Sequence, residues 1–269
     1  WSRKGAAILR QRPGPQLRHM SVRYADQNNP HADQMPKRKT FNLGPCGMGV
    51  SLSNPLPAGD MFTQGNSKLG KGIWIFSLPR VFTCPGMSDW CSQHCYMSKF
   101  EKLYKAVLPM YKRNLKRSVT ASFVKDAVGE LSHRDRGLRL RKVRIHVDGD
   151  FYNTAYVYKW IEIIRQLRAQ DPEWRFYAYT KSWRPIAEQK HPGIHKALDI
   201  LRSMDNVILR ASTDDTTGKP PPGWIEAGIE SCYTSKAPFV CHFYDDRIHC
   251  DHCLQCVMTK KPVAFKIHR

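Results

Sequence analysis

The cysteines of this sequence include a group of three whose spacing is typical of metal ligands. The three thiols are spaced C-x6-C-x3-C and belong to Cys84, Cys91 and Cys95. Three thiolates can hold a 4Fe-4S cluster and leave one iron open to a substrate or cofactor. A closed zinc site needs a fourth ligand, for which His94 or a distant cysteine is available. We favour an iron-sulfur cluster for this group, with zinc or buried structural cysteines as the alternatives.

A second group of cysteines lies later in the chain. Its four thiols, spaced C-x8-C-x2-C-x2-C, belong to Cys241, Cys250, Cys253 and Cys256, with Cys232 as a spare. Four thiolates close a tetrahedral site, so this group is the stronger indication of a metal. Ferredoxin cluster motifs and zinc knuckles share such short spacings, which leaves a second iron-sulfur cluster and zinc both open. Either metal would stabilise a lobe too small to fold on its own apolar core.

Length, composition and cysteine usage exclude several classes of protein. The chain has 269 residues, of which 41% are hydrophobic and 11% aromatic, so it can fill a core and is not disordered throughout. It has no run of 18 apolar residues, which excludes a membrane-spanning helix and membrane integration. Nine cysteines at metal-ligand spacings, with no apolar signal peptide, predict metal thiolates in a reducing cytoplasm rather than disulfides.

Hydrophobic periodicity from residue 72 onward predicts alternating strands and helices. The predicted strands cover residues 73–76, 143–147, 174–179 and 207–209, and the predicted helices cover 119–131, 157–167 and 194–201. Such β-α units in series predict an α/β fold with a parallel sheet and right-handed crossovers, either open or curled into a partial parallel β/α barrel. We expect a disordered basic arm at 1–40, the partial barrel with its cysteine loop at 41–215, and a small Cys-rich metal-binding lobe at 216–269.

Polar or thiol groups follow every predicted strand, at the edge where parallel α/β proteins bind ligands. The three-cysteine loop follows the first strand, and Asp148-Gly149-Asp150 follows the second. A segment with Lys181 and Trp183 follows the third, and Ser212-Thr213-Asp214-Asp215 follows the fourth. The alternative interpretation of the two acidic segments is structural, namely a glycine turn whose acids cap the next helix, and an ordinary Ser/Asp turn.

These motifs carry a resemblance to a known family. TCPG with C-x3-CY, R-x-HVDGDFY, YTKSW, STDD and the closing cysteines resemble the phage and plasmid gene product eighty-eight family over most of residues 72–258. The layout is also similar to that of radical S-adenosylmethionine enzymes. The resemblance implies a 4Fe-4S cluster at the first cysteine group, S-adenosylmethionine as cofactor, and an auxiliary iron-sulfur cluster or zinc at the second group.

The same resemblance implies roles for the acidic segments. Asp148 or Asp150, separated by Gly149, would bind the amino group of the cofactor. Ser212 and Asp214 would contact its ribose. The partner implied is an electron donor for the cluster, and the place implied is a bacterial cytosol that holds a phage- or plasmid-encoded protein.

The charge of the chain makes nucleic acid the leading class of partner. Lys and Arg number 43 against 23 Asp and Glu, a formal net charge of +20. The arm before residue 41 holds nine of these bases; it is also compatible with a transit peptide or with material upstream of a true start. Internal clusters at 99–117 and 134–144 supply much of the rest, and either could instead be a solvated helix face. Phosphate contacts are expected from Lys112, Arg113, Lys116, Arg117, Arg139 and Arg141.

Three functions are compatible with these features. The first is an iron-sulfur, radical S-adenosylmethionine-like enzyme that acts on a nucleic acid or a nucleotide-derived substrate. The second is a zinc-stapled nucleic-acid-binding protein without catalysis. The third is a base-exchanging barrel enzyme with structural zinc and Asp148 or Asp150 as nucleophile. Carboxylates at strand ends repel phosphate, so they favour an enzyme over a simple binder.

Overall fold

A computed structural model of the protein describes residues 40–42, 49–51, 59–229 and 239–266. The expected basic arm, Cys46 and Cys232 lie outside the described residues, apart from Thr40 at the arm's end. Residues Thr40–Arg269 form one compact unit with a mixed α/β fold. Its centre is a seven-stranded, mostly parallel sheet, and a separate two-stranded sheet precedes it in the chain.

The described strands are short, with three to seven residues each. They are β1 Thr40–Asn42, β2 Gly49–Ser51, β3 Thr63–Asn66, β4 Gly70–Phe76, β5 Lys142–Ile145, β6 Arg175–Thr180, β7 Val207–Thr213, β8 Ile225–Ile229 and β9 Val263–Phe265. The helices are α1 Asp89–His94, α2 Met97–Leu103, α3 Val107–Ser118, α4 Phe123–Asp135, α5 Thr154–Gln170, α6 Pro185–Lys190, α7 Ile194–Ser203, α8 Phe243–Asp246, α9 Cys250–Cys253 and α10 Gln255–Met258.

The large sheet keeps the order of the chain. Strand β3 is antiparallel to β4, and the six strands from β4 to β9 run parallel, each paired with the next. Strands β3 and β9 are its edges, so the part of the sheet that the structure describes is not closed into a barrel. The expectation of a parallel α/β sheet is confirmed, and all four predicted strands are present as β4 to β7.

The sheet continues beyond the last predicted strand. Strands β8 and β9 extend it, although both lie in the segment expected to be a separate Cys-rich lobe. The boundary expected at residue 215 therefore falls inside the sheet. A proline-rich loop interrupts the apolar pattern before β8, and β9 has only three residues, VAF, which is too short for a periodic signal.

One face of the sheet is covered by the helices between the strands. Apolar side chains of alternating strand residues, such as Phe76, Ile145 and Leu209, are buried in one cluster with Trp160 of α5 and Leu198 of α7. Parallel strands connected by helices must bury such a face. The predicted helices correspond to α4, α5 and α7. Val119, predicted as the first residue of one of them, is instead the C-cap residue of α3.

The opposite face of the sheet is covered by the C-terminal segment. Ile73, Tyr177 and Ile208 point to this face and pack with Val257 of α10 and with Leu254. Both faces of the central strands are therefore buried, which explains their continuous apolar runs. The segment that carries the second cysteine group is thus a cover for the sheet.

A glycine is required where the loop after β5 meets the loop after β4. Gly149 has φ +78°, which L side chains rarely adopt. A Cβ atom there would lie 2.6 Å from Thr83 Oγ1 and 2.9 Å from the carbonyl oxygen of Leu78. This close approach places the Asp148-Gly149-Asp150 segment directly against the start of the cysteine loop.

Replacement of Gly149 by alanine should destabilise the fold. We expect Gly149→Ala to lower the free energy of unfolding by about 2 to 3 kcal/mol, because it adds both a clash and a strained φ. Gly129→Ala is the matched control, since it lies within α4 and its new methyl group would meet no neighbouring atom within 4 Å. It should stabilise the fold by about 0.5 to 1 kcal/mol. Urea unfolding of the two variants measures both values, and equal stabilities would contradict the packing described.

Candidate functional site

The first cysteine group lies at the carboxyl end of β4. Cys84 is in the turn that follows this strand, Cys91 is on α1, and Cys95 ends that helix. Ser88 is the N-cap residue of α1, and its hydroxyl accepts a hydrogen bond from the Cys91 backbone N–H at 3.1 Å. All three thiols are partly buried. A single short loop with a capped helix therefore presents the three thiols at one edge of the sheet.

The loop after β6 anchors this cysteine loop. Arg184 donates hydrogen bonds to the carbonyl oxygens of Gly86 at 3.0 Å and Met87 at 2.8 Å. Gly86 packs so closely against the backbone of Lys181 that a Cβ would lie 1.9 Å from the Lys181 carbonyl oxygen. The polar segment after the third parallel strand thus holds the cysteine loop in place.

Asp214, from the end of β7, connects three loops. Its Oδ2 accepts a hydrogen bond from Ser88 Oγ at 2.6 Å and lies 3.2 Å from Lys181 Nζ. Its Oδ1 accepts from the backbone of Thr216 at 3.0 Å. Burial opposes the charge, but the hydrogen bond from Ser88 and the ammonium of Lys181 outweigh it and lower the pKa of Asp214. Asp214 is therefore an anion whose two oxygens both have partners.

Lys181 places a positive charge beside a thiol of the first group. Its Nζ also donates to Ser212 Oγ at 3.1 Å, so the two residues expected to contact ribose meet through this lysine. Burial favours the neutral amine, but Cys91 and Asp214 outweigh it and raise the pKa of Lys181. Lys181 therefore stays charged between Cys91 and Asp214.

The two acids of the Asp148-Gly149-Asp150 segment have different surroundings. Asp150 accepts hydrogen bonds from Thr180 Oγ1 at 2.6 Å, the Phe151 backbone at 2.7 Å and the Lys181 backbone at 2.8 Å. Burial raises the pKa of Asp150 to about 6, against these hydrogen bonds. Since its oxygens are occupied by the chain, Asp150 joins the loops after β5 and β6.

Asp148 instead has a free oxygen and an acidic neighbour. Its Oδ1 accepts from the Gly149 backbone at 2.9 Å, while its Oδ2 is buried without a hydrogen-bond partner. Oε1 of Glu101 is also buried and unpartnered, although Oε2 of Glu101 binds Arg80 at 2.9 Å. Burial, and then the charge of Glu101, raise the pKa of Asp148. Two carboxyl groups without enough donors can share a proton or accept hydrogen bonds from a cationic ligand.

Glu101 did not emerge from the motifs of the sequence. It lies on α2 and is the only acid within the basic segment 99–117. A single acid among lysines and arginines was the sequence signal that could have identified Glu101, because such an acid often forms a specific ion pair. The segment was instead interpreted only for its positive charge.

Two thiols of the first group are kept neutral by their environment. Burial, followed by the charges of Asp150 and Asp148, raises the pKa of Cys84 well above its usual value. Burial also raises the pKa of Cys95, on which Asp148 acts in the same direction. Over the described parts of the chain, no three His, Cys, Asp or Glu side chains are arranged to hold a metal ion. Metal binding here therefore requires deprotonation and adjustment of the side chains.

The four thiols of the second group line one small cavity, together with Tyr177 and aromatic and aliphatic side chains. Cys250 is held by a hydrogen bond from its backbone to the Lys68 carbonyl at 3.0 Å, and Cys241 by one to the Ala264 carbonyl at 2.9 Å. Burial raises the pKa of Cys250 to about 11. The four residues predicted as ligands thus line the same cavity, although in the described regions no three of them are arranged to hold a metal ion.

Two arginines from the sheet face this second group. Arg210 is only 1% exposed and donates to the carbonyl oxygens of Cys256 at 2.6 Å and Thr259 at 2.5 Å. The guanidinium of Arg144 lies 4.6 Å from the ring centre of Tyr179 and 5.7 Å from that of Tyr177. Among the residues with described positions, neither arginine forms an ion pair with a carboxylate. Such cations need a nearby negative charge.

The basic clusters do not form one surface. Of the α3 residues, Lys112 is exposed and Arg113, Lys116 and Arg117 are half-buried, while Asn114 binds the Ser77 carbonyl next to the carboxyl end of β4. Arg139 and Arg141 precede β5 and lie at its opposite, amino end. Arg141 also pairs with Asp171 at 2.9 Å. Tyr111, which the sequence places among the bases, is buried. Asn114 thus places α3 beside the carboxyl end of β4, whereas Arg139 and Arg141 lie at the other end of the sheet.

The described helices include none long and apolar enough to cross a membrane.

Comparisons with known proteins identify relatives but not an activity. A family model described as Gene product 88 matches residues 60–256. The chain is 33% identical over 133 residues to the Gene 88 protein of Mycobacterium phage L5, which covers 44% of this chain and 51% of that protein. The Gene 88 protein of Mycobacterium phage D29 is 32% identical over 133 residues, with 44% and 50% coverage. The chain thus spans about half the length of these relatives, and no solved structure matches it.

Loss of the Asp214 charge should destabilise the rim of the sheet. We expect Asp214→Asn to lower the free energy of unfolding by about 3 kcal/mol, because Lys181 is left as a buried cation without its carboxylate. Asp205→Asn makes the same change in the exposed pair with Arg168 and should have little effect. Urea unfolding compares the variants, and a similar small effect of both would show that the buried pair is not a structural constraint.

Proposed function

The chain belongs to the Gene product 88 family, and we propose that it is an iron-sulfur, radical S-adenosylmethionine-like enzyme that acts on a nucleic acid or a nucleotide-derived substrate. One observation carries the proposal. Three thiols from one loop lie at the carboxyl end of the first of six parallel strands, beside carboxylates and a lysine that follow the next strands. Parallel α/β enzymes place their reacting groups at this edge.

The order of the strands supports the same proposal. Strands β4 to β9 are parallel and adjacent in chain order, and helices α4, α5 and α7 share one cluster on one face. A sheet without a reversal of strand order sends its loops to a common rim and is the arrangement of a partial β/α barrel. We infer that the sheet curves in this way, with the cysteine loop at its mouth.

The donor set of the first cysteine group fits an iron-sulfur cluster. Thiolates are the ligands of such clusters, and three of them leave one iron open. Cys84, Cys91 and Cys95 would hold the cluster, and Lys181 would offset part of its negative charge. When bound, the cluster would supply one-electron chemistry. Burial of the thiols and release of their protons make loading dependent on pH.

The acids at the rim divide into two roles. Asp148 and Glu101 have the unpartnered buried oxygens and would accept hydrogen bonds from the amino group of the cofactor. Asp150 and Asp214 hold the loops together, because their oxygens already accept hydrogen bonds from the chain. Contact of Ser212 and Asp214 with ribose would be an additional role for groups that first position Lys181.

The second cysteine group fits a metal with four thiolate ligands. Four thiolates around zinc or a 4Fe-4S cluster carry a net negative charge. Arg210, which is buried, and Arg144 face these thiols and have no carboxylate partner within the described regions. The metal-thiolate centre would supply the negative charge that these cations need, and it would hold the C-terminal segment on the sheet.

Metal analysis of protein purified without oxygen tests the proposal. We expect brown protein with bound iron and sulfide, and an electron paramagnetic resonance signal that changes when S-adenosylmethionine is added. Replacement of Cys84, Cys91 and Cys95 together by alanine should remove one cluster and leave the metal of the second group. Cys46 belongs to neither cysteine group, so the Cys46→Ala variant is the control and should keep the full metal content.

Two results would count against this assignment. A colourless protein that contains only zinc would overturn the iron-sulfur enzyme and favour a zinc-stapled protein. An iron signal that S-adenosylmethionine leaves unchanged would remove that cofactor while keeping the cluster.

The role of Arg210 as a counter-charge has a separate test. We expect Arg210→Met to lose metal from the second group faster than wild type during treatment with a chelator, because both the positive charge and the bonds to the carbonyls of Cys256 and Thr259 are lost. Arg210→Lys keeps the charge and should be intermediate. If both variants release metal at the wild-type rate, the arginine does not stabilise the centre.

A further inference from the structure

A row of exposed aromatic rings leads away from the first cysteine group. Tyr96 and Phe100 are each 40% exposed and Tyr104 is 56% exposed. Ring centres are 6.4 Å apart between Tyr96 and Phe100 and 6.1 Å apart between Phe100 and Tyr104, and the latter two rings are nearly parallel, at 11°. Since the three residues are four positions apart on and beside α2, they form one continuous row. We call these three residues the aromatic row.

Helix α2 has buried residues on the side opposite the aromatic row, so the exposure of the three rings does not result from a lack of contacts. Met97 is buried there at 5% exposure. Glu101 also points inward and pairs with Arg80 at 2.9 Å. These residues anchor the helix on its inner side, and the rings of Phe100 and Tyr104 lie on its outer side.

The surroundings of the aromatic row are positively charged. Lys99, Lys102 and Lys105 are exposed on the same segment. The only acid of residues 96–105, Glu101, is turned inward and pairs with Arg80 at 2.9 Å. An apolar protein partner would gain nothing from these lysines. Aromatic rings interleaved with cations match a strand of nucleotides, whose bases stack on rings and whose phosphates pair with ammonium groups.

The aromatic row begins at the candidate site. The hydroxyl of Tyr96 donates a hydrogen bond to the Val147 carbonyl at 2.8 Å, one residue before Asp148. Tyr96 also directly follows Cys95 in the chain. A base stacked on the first ring would therefore lie next to the thiols and the carboxyl pair.

We propose that the aromatic row and its three lysines bind single-stranded nucleic acid and place one of its nucleotides at the cysteine loop. A duplex is excluded because its bases are stacked on each other and hide their faces from the rings. The inference rests on the proposed function only for what happens to that nucleotide, since binding itself uses no metal. It names the form of the substrate and the surface that recognises it.

Fluorescence anisotropy with a labelled oligothymidylate of about 12 nucleotides tests the inference on the full chain. Phe100→Ala combined with Tyr104→Ala should raise Kd by about tenfold to hundredfold, because two stacked bases are lost, without changing the salt dependence. Replacement of Lys99, Lys102 and Lys105 by alanine should instead reduce the slope of log Kd against log salt by about 2. Tyr158→Ala, an exposed tyrosine on α5, is the matched control and should bind as wild type.

Three results would overturn the inference. They are wild-type affinity of the Phe100→Ala, Tyr104→Ala variant, equal affinity of the wild type for a duplex of the same length, and a self-associated wild type that the double variant converts to monomer. Circular dichroism of each variant confirms that it is folded. Iron analysis of the same samples separates the two proposals. A colourless protein that binds the oligonucleotide through the aromatic row would overturn only the proposed iron-sulfur enzyme. A brown protein whose affinity for the oligonucleotide does not depend on the aromatic row would overturn only the proposed binding surface.

Discussion

The arrangement of the candidate site depends on the buried pair of Lys181 and Asp214. Each charge would be costly alone at these positions, so each fixes the other, and the loops after β6 and β7 are held together. Asp214 also accepts a hydrogen bond from Ser88, the residue that begins the helix carrying Cys91. A single ion pair thereby fixes the position of the cysteine loop relative to two strands. The chemistry of the rim is built on this contact rather than on the cysteines alone.

The opposite face of the sheet has a different balance of charge. At the rim, the buried anion and cation are both supplied by the chain. Near the second cysteine group, the described residues supply the cations Arg144 and Arg210 and no carboxylate that pairs with them. Hydrogen bonds to carbonyl oxygens and contacts with tyrosine rings provide partners for the guanidinium groups but do not neutralise their positive charge. The four cysteines that line one cavity beside them are the groups that would carry negative charge as thiolates around a divalent metal or an iron-sulfur cluster.

The sequence predicted what depends on short-range patterns. Apolar patterns identified β4 to β7 and their helices, because burial of both faces leaves a continuous run in strands such as β4, with the sequence IWIF at residues 73–76. Strand β9 was missed because three residues acquire their role only through pairing with β8. The four cysteines of the second group, predicted from their spacing as metal ligands, line one cavity, and their role as ligands stays a prediction. Long-range pairing could not be predicted in this way: the segment 99–117 was interpreted only for its positive charge, whereas Glu101 pairs with Arg80 and Tyr111 is buried.

The distribution of charge around the rim limits how a polyanion could approach it. The outer side of α2 and the α3 cluster are basic, whereas Asp148, whose charge acts on Cys84 and Cys95, has an unpartnered buried carboxyl oxygen, as does its neighbour Glu101. Those carboxyl groups would repel a phosphate if ionised, and if they share a proton they favour donors of hydrogen bonds over anions. A nucleic acid bound on the aromatic row would therefore keep its backbone on the lysines and present a base or sugar to the thiols. The lysines would attract the phosphates, and the carboxyl groups would exclude them from the site, so that only the base or sugar of a nucleotide enters it.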